Sequence, residues 1–358
     1  MVCLSREVSM KVALVAFNNI FISPYINPYA DLVCSSGAEC HLIYPDRLGI
    51  DEEFCGTKHV VKWNKAKNKA FNFISFVREA GRILKKEKFD FVFVLTTFPA
   101  VLLSGVLAKR YKGRYAVDIR DYTYEGNKLF YHFEKKTIKN ARFAVISSPG
   151  FKNFLPEGNY YMCHNVSKAY KAPMHGFERA NGKIIIGYVG AVAYADYVRP
   201  TIDLVKADDR FEFHVYGRET NPAEPVKQHV EASGCDRIKY FGAYKPQEKA
   251  EILAKTDVLF NVYGNDRMLV KYALSNKLYD GFYFKKPILV SAGTAMAEEA
   301  GEYSFALDPK TATDLNALHD WYMAIDGEAF NKYANDYLDK VNTENALFEQ
   351  AVIDAING

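Results

Sequence analysis

Tryptophan is nearly missing from this 358-residue chain, with two residues against 25 tyrosines and 25 phenylalanines. A surplus of one charge is missing too: 46 basic and 43 acidic side chains leave a net +3. That balance makes no case for a nucleic-acid partner. The six cysteines (Cys3, Cys34, Cys40, Cys55, Cys163, Cys235) form no CxxC pair and keep no regular spacing. No metal site is expected from them. A reduced cytosolic chain with buried thiols is the simple reading. No apolar run reaches membrane-spanning length, and the opening MVCLSREVS has no apolar signal-peptide core. Met10 and Lys11 directly precede the first strand, so residues 1–9 read as a tail or a mis-assigned start. The turn after that strand, FNNIFISPY, is not G-x-G-x-x-G. A dinucleotide at that turn is therefore not expected, and no cofactor is called for.

What is present is a long α/β alternation. Half of the residues are hydrophobic and a quarter charged, which is ordinary globular composition, and the length suits two domains. Strands are expected at residues 11–17, 39–44, 89–95, 114–119, 143–146 and 160–166, with helices at 28–35, 99–111 and 129–140. A second series has strands at 183–189, 211–216, 238–241, 258–262 and 288–290, with helices at 199–206 and 246–255. Short apolar strands alternating with helices imply parallel sheets. The expected division is a first domain over residues 1–167, a linker over 168–182, a second domain over 183–335 and a final helix over 336–358. Tyr and Phe fall mostly in apolar runs and are expected in the core.

Charge is uneven along the chain. Between Lys58 and Lys88 stand ten basic residues against Glu79 and Glu87, a local 10 − 2 = +8. This stretch contains an amphipathic helix with Phe71, Ile74, Phe76, Val77, Ile83 and Leu84 as its apolar side. The helix is expected to pack on its own sheet. The Lys65–Lys69 loop before it is either solvated or a patch facing an anionic membrane.

Open α/β sheets bind ligands at the C-terminal ends of their strands. Arg120 and Asp121 follow the strand at 114–119 and are candidates for chemistry, with a buried ion pair tying the loop to the sheet as the equal alternative. His164 ends the strand at 160–166; a lone His is more often structural. Gly190 follows the strand at 183–189, where a glycine lets the backbone approach a diphosphate. The segment 274–291, LSNKLYDGFYFKKPILVS, reads as helix, turn and buried strand. Ser275 and Asn276 are capping residues. Lys277 and Asp280 stand one turn apart, suited to a phosphate and a sugar diol at a helix start. The plainer alternative is a surface ion pair.

That segment resembles the P-x-K-L-x-E-Y-x-A-x-G-K-P-V-I stretch of family 4-like glycosyltransferases of the GT-B fold. Lys277, Leu278, Pro287 and Ile288 match; Asp280 stands for the usual Glu, Ser275 for Pro and Lys285 for Gly. A second acid frequent in the family falls on Tyr272 and is absent. The resemblance implies two Rossmann-like domains facing each other across a cleft. It implies a nucleotide-sugar donor, UDP- or GDP-linked, held by Gly190, Arg218, Phe241, Lys277 and Asp280, with Asp280 on the ribose and Phe241 against the base. Family members usually carry a cation just after the glycine; here Ala191 stands there, so Arg218, Arg267, Lys271 or Lys277 must supply the charge. Asn18, Asn19 and His164 fall on the acceptor side. Asp118–Tyr122 resembles the D-x-R-D-hydrophobic motif of polysaccharide-building members. On that basis Asp121, with Arg120 beside it and Glu125 behind it, is the catalytic candidate if the enzyme inverts; retention is the family's usual outcome.

The expected activity is transfer of a sugar to a glycan or polyprenyl-diphosphate-linked acceptor in capsule or other surface polysaccharide synthesis. The expected place is cytoplasmic, peripheral on the inner face of the membrane. Other readings left open are a non-catalytic GT-B partner subunit, a sugar-binding protein, and a nucleotide-sugar 2-epimerase.

Overall fold

The computed structural model describes residues 9–166, 176–220 and 225–358. Residues 1–8 of the expected tail and 168–175 of the expected linker lie outside the described residues. The chain forms two compact units, residues 1–165 with 343–358, and residues 166–342.

The first unit runs β1 (Lys11–Ala16), α1 (Ile26–Ser35), β2 (Glu39–Asp46), β3 (Thr57–Lys62), α2 (Lys69–Glu87), β4 (Phe91–Leu95), α3 (Thr97–Leu102), α4 (Ser104–Arg110), β5 (Tyr115–Ile119), α5 (Lys128–Asn140), β6 (Phe143–Ile146) and β7 (Tyr160–Met162). The central strands FVFVL, YAVDI and FAVI are buried at every position. Such runs have no polar face to give to water, so they settle inside a parallel sheet covered by helices on both sides. The strand order is β3-β2-β1-β4-β5-β6-β7, parallel throughout. Strand order reverses between β1 and β4, which opens a crevice at their C-terminal ends.

The second unit repeats the plan with β8 (Ile184–Val189), α6 (Ala195–Ala207), β9 (Phe211–Tyr216), α7 (Val226–Ser233), β10 (Ile238–Gly242), α8 (Lys249–Ala254), β11 (Val258–Asn261), α9 (Met268–Tyr272), α10 (Asn276–Tyr283), β12 (Ile288–Val290), α11 (Ala295–Ala300), β13 (Ser304–Ala306) and α12 (Asn316–Ala324). Its parallel order is β10-β9-β8-β11-β12-β13, with the reversal between β8 and β11. The last helix, α13 (Gly327–Asn357), gives Phe330, Ala334, Tyr337 and Val341 to the second core and Phe348, Val352 and Ile356 to the first.

Four expectations change. The thiols are not all reduced: Cys34 and Cys55 are joined in a disulfide, which closes the loop 47–56 onto the end of α1. Part of the basic stretch is a strand, β3, paired along the edge of β2. The helix expected over 99–111 is two helices, because Leu103, at φ −89° and ψ 0°, breaks the turn between α3 and α4. On α2, Phe76, Ile83 and Leu84 face the core, but Phe71 and Ile74 are 51% and 69% exposed. They share the outward side with Arg78, Arg82 and Lys85. Asn68 caps this helix by accepting from the Phe71 amide, which fixes where it starts.

Candidate functional site

In the second unit, the chain leaves β8 through Gly190 at φ +132° and leaves β9 through Gly217 at φ +150°. A Cβ on Gly217 would stand 1.7 Å from the Gly190 carbonyl oxygen, so only glycine lets these two turns touch. Across the reversal point, Ser275 accepts from the Lys277 amide and starts α10. The Lys277 side chain then runs beneath the first turn. A Cβ on Gly190 would lie 3.6 Å from Nζ of Lys277. The ammonium is buried, donates to the Tyr263 hydroxyl, and lies 4.6 Å and 5.1 Å from the ring centres of Tyr188 and Tyr263. Burial lowers the pKa of Lys277, against the pull of Tyr188 and Asp280. A cation held this way, with no carboxylate bonded to it among the described residues, suits an incoming anion.

One turn along, Asp280 is also buried, and its Oδ2 lies 2.6 Å from Nζ of Lys249 on α8. The surface ion pair between Lys277 and Asp280 offered by the sequence is therefore not what forms. Phe241, half exposed, stacks flat on Tyr216 at 4.3 Å between ring centres and 3° between planes. Arg218 is exposed, and its carbonyl accepts from the Val192 amide, which extends the β8–β9 pairing beyond the glycines.

Sequence reasoning missed the tyrosines. Tyr194, left-handed at φ 59°, ends the Gly190 turn and caps α6. Its ring stacks on Tyr263 at 4.2 Å, and the Arg267 guanidinium covers it at 5.1 Å. Two stacked tyrosines thus carry a cation at each end, Arg267 and Lys277. Beside this stack opens a cavity of about 390 Å³, walled by Tyr194, Asp196, Tyr197, Glu219, Arg267 and Lys310. Arg267 was one of four cations named in the sequence; nothing local in Tyr194 or Tyr263 marks the stack, because the two lie 69 positions apart.

In the first unit, Asp118, next to last in β5, is a buried carboxylate that accepts from the Tyr29 hydroxyl at 2.8 Å and from Nη2 of Arg120 at 2.7 Å. Arg120 also donates to the Cys163 carbonyl. Burial alone would lower its pKa, but the Asp118 carboxylate outweighs that and holds it well above the usual value. Arg120 is thus the buried ion pair that the sequence left open. Asp121 stands exposed at the strand end. Desolvation by the protein around it raises its pKa, and Arg120 opposes this. Glu125 is buried, accepts from the Thr123 amide at 2.5 Å, and has a pKa raised by desolvation.

The acceptor-side candidates separate. Asn18 is half-buried after β1. Asn19 is fully buried and is a hub: its Nδ2 donates to Asp46 and Glu52, and its Oδ1 accepts from the Arg47 and Leu48 amides. His164 is buried against Glu344, Nε2 to Oε2 at 2.5 Å, and is structural. Asn19 and His164 hold loops and offer no side chain to a ligand.

Residues 11–147 match the model of the family described as glycosyl transferase 4-like. The first unit carries a glycosyltransferase domain. The enzyme class read from the sequence stands on this match. In architecture, the chain is similar to the sucrose-phosphate synthase of Thermosynechococcus elongatus at 11% identity and TM-score 0.70, covering 96% of this chain and 98% of that one. It is similar to Anabaena HepE in complex with UDP at 10% identity and TM-score 0.68, covering 96% and 99%. It is also similar to WaaG, a glycosyltransferase involved in lipopolysaccharide biosynthesis, at 12% identity and TM-score 0.64, covering 97% and 100%. At these identities the likeness is one of fold: two Rossmann-like domains of the GT-B type. No curated protein sequence matches the chain. Among the described residues, no helix is long and apolar enough to cross a membrane.

Proposed function

We propose that the chain transfers a sugar from a UDP-sugar, bound in the second unit, to a hydroxyl of a glycan or lipid-linked glycan used in surface polysaccharide. The observation that carries this reading is the buried Lys277 ammonium beneath the Gly190 turn, at the point where strand order reverses. The diphosphate takes the Lys277 ammonium beneath the Gly190 turn; the ribose takes Asp280; the base lies on the Phe241–Tyr216 stack. The sugar then occupies the cavity beside Tyr194, where Asp196 and Glu219 offer acceptors to its hydroxyls. HepE, with the same fold, was solved with UDP and with UDP-glucose, which supports uridine over guanosine. WaaG and the resemblance of Asp118–Tyr122 to polysaccharide-building members support the acceptor class. The basic face of α2 supports a position against an anionic membrane surface on the cytoplasmic side.

In the reaction the anomeric carbon–oxygen bond to the diphosphate breaks, and the acceptor oxygen bonds to that carbon. The Lys277 ammonium at the diphosphate stabilises the charge left on it. Retention sends the hydroxyl proton to the departing phosphate; inversion sends it to Asp121.

A specific observation favours a second reading, a non-catalytic partner: Lys249 already engages the carboxylate assigned to the ribose. One experiment separates the two. Purified chain is heated with UDP, GDP, CMP or NAD, and with UDP-sugars in a hydrolysis assay. A UDP-specific rise in Tm, from a stabilisation of about 2.7 kcal/mol at a hundredfold excess over Kd, together with hydrolysis, is expected. Asp280→Asn should cut the UDP-dependent rise with the fold intact by circular dichroism. A shift without turnover supports the non-catalytic partner, and an Asp280→Asn chain that binds UDP as before removes Asp280 from the site.

A further inference from the structure

Three cysteines with no spacing pattern converge in the first unit, away from the strand ends that bind ligands. Cys34 lies in the last turn of α1, Cys40 at the start of β2, and Cys55 in the loop before β3. Their sulfur atoms lie within 4.8 Å of one another. Cys34 and Cys55 form the disulfide, and Cys40 is a buried free thiol packed against it. A disulfide explains two sulfurs and makes no use of the third.

The backbone fixes this geometry. Gly56 approaches β2 so closely that a Cβ there would stand 2.1 Å from the Cys40 carbonyl oxygen. That contact and the β2–β3 register hold Cys55 over Cys40 whatever the state of the disulfide. In a tetrahedral thiolate site the sulfurs stand about 2.3 Å from the metal, hence roughly 3.8 Å from one another. Small side-chain rotations reach that spacing from here. Thiolates are soft donors and select zinc-type ions over magnesium or calcium.

We propose that Cys34, Cys40 and Cys55 form a redox-gated site for a zinc-type divalent ion. The chemistry balances with a dithiol reductant. It gives two electrons and two protons to the Cys34–Cys55 bond and becomes a disulfide itself, leaving two thiols. The ion then takes three thiolates, three protons leave for solvent, and the fourth position holds water. No electron passes to the metal. The burial that pushes the Cys40 thiol up to about 12 is met by the charge of the ion, which deprotonates the sulfurs it binds. Disulfide and metal would each fasten the loop that carries Glu52, and through it Asn19.

The test uses the full chain reduced with a phosphine and titrated with Co²⁺ as the spectroscopic probe. Uptake of one ion per chain, with a sulfur-to-cobalt charge-transfer band abolished by Zn²⁺, is expected. Oxidised chain should take up none until reductant is added. Cys40→Ser should weaken binding at least about tenfold, and Cys235→Ser should leave it unchanged. Wild-type chain provides a second reading that needs no variant: Zn²⁺ should protect Cys34, Cys40 and Cys55 from alkylation, as located by mass spectrometry. Absence of uptake by the reduced wild type, uptake that survives Cys40→Ser undiminished, or alkylation indifferent to Zn²⁺ overturns the site.

Discussion

Glu134 on α5 is nearly inaccessible, at 1% exposed, and neither carboxylate oxygen has a hydrogen-bond partner among the described residues. Desolvation, with the Glu125 charge added, raises its pKa from 4.5 to about 8. It therefore stays protonated in the fold at neutral pH. The sign follows from which state holds the proton. Above pH 4.5 the unfolded chain gives it up, while the folded chain keeps it until about pH 8. The contribution is complete below 4.5 and is lost as pH rises through 8. Gln has the same shape and no proton to lose. Glu134→Gln should therefore be near neutral at the acid end of this window and stabilising by a few kcal/mol at its alkaline end, the order that linkage gives. Urea unfolding of both proteins at the two pH values checks it; parallel pH profiles would show that Glu134 titrates normally. At the same scale, Lys277 could be singled out as a candidate because Lys and a capping residue at a helix start suit an anion whatever the tertiary fold. Lys249 was not legible, because its partner Asp280 lies 31 positions on and no local rule pairs them.

At the scale of elements, the buried strands were the most legible part. FVFVL and FAVI admit few alternatives, and the α/β alternation follows from them. The edges were not. β3 has a mostly solvent-facing pattern, TKHVVK, with Val61 alone buried, so its place in the sheet comes from β2 and not from its own residues. The departure of Lys285 from the family's glycine also has a physical meaning. Lys285 is left-handed at φ 54° after α10, and the Lys286 amide donates back to the Gly281 carbonyl, the closing bond of a helix C-terminus where glycine is usual. Its ammonium donates to Phe282 O and Asn335 Oδ1, which offsets the strain of about 1 kcal/mol. On α2, the sequence counted Phe71 and Ile74 as core, but the helix turns them outward beside its cations. An amphipathic face with exposed apolar side chains among Lys and Arg fits a lipid interface. The chain should float with vesicles containing anionic lipid and not with neutral ones. Phe71→Ser with Ile74→Ser should reduce that binding severalfold, and about 1 M salt should weaken it by shortening the screening length to ~3 Å. Equal binding to neutral vesicles, or none to either kind, would return α2 to a solvated helix.

At the scale of the molecule, the two units have separate cores but share one helix. The part of α13 up to Val341 lies in the second core; from Thr343 onward it belongs to the first unit. Phe348, Val352 and Ile356 are buried there, with Phe348 edge-on to Tyr29 at 5.2 Å. Glu344 and Asn345 also bond His164, by side chain and backbone amide. Three large apolar side chains at ~1.5–3 kcal/mol each sum to roughly 5–9 kcal/mol. A domain of this size is stable by about 5–15 kcal/mol. Ending the chain at Asn342 therefore removes most of what keeps the first unit folded, while the second loses no core residue. Hydrogen exchange on the truncated chain should show amides of β1 to β7 exchanging freely and those of β8 to β13 still protected. Because the proposed donor site draws only on residues of the second unit, the UDP-dependent rise in Tm should survive the truncation. Its disappearance with β8 to β13 still protected would mean that residues outside the second unit hold the nucleotide, and protection retained in β1 to β7 would mean that the end of α13 contributes little to the first core.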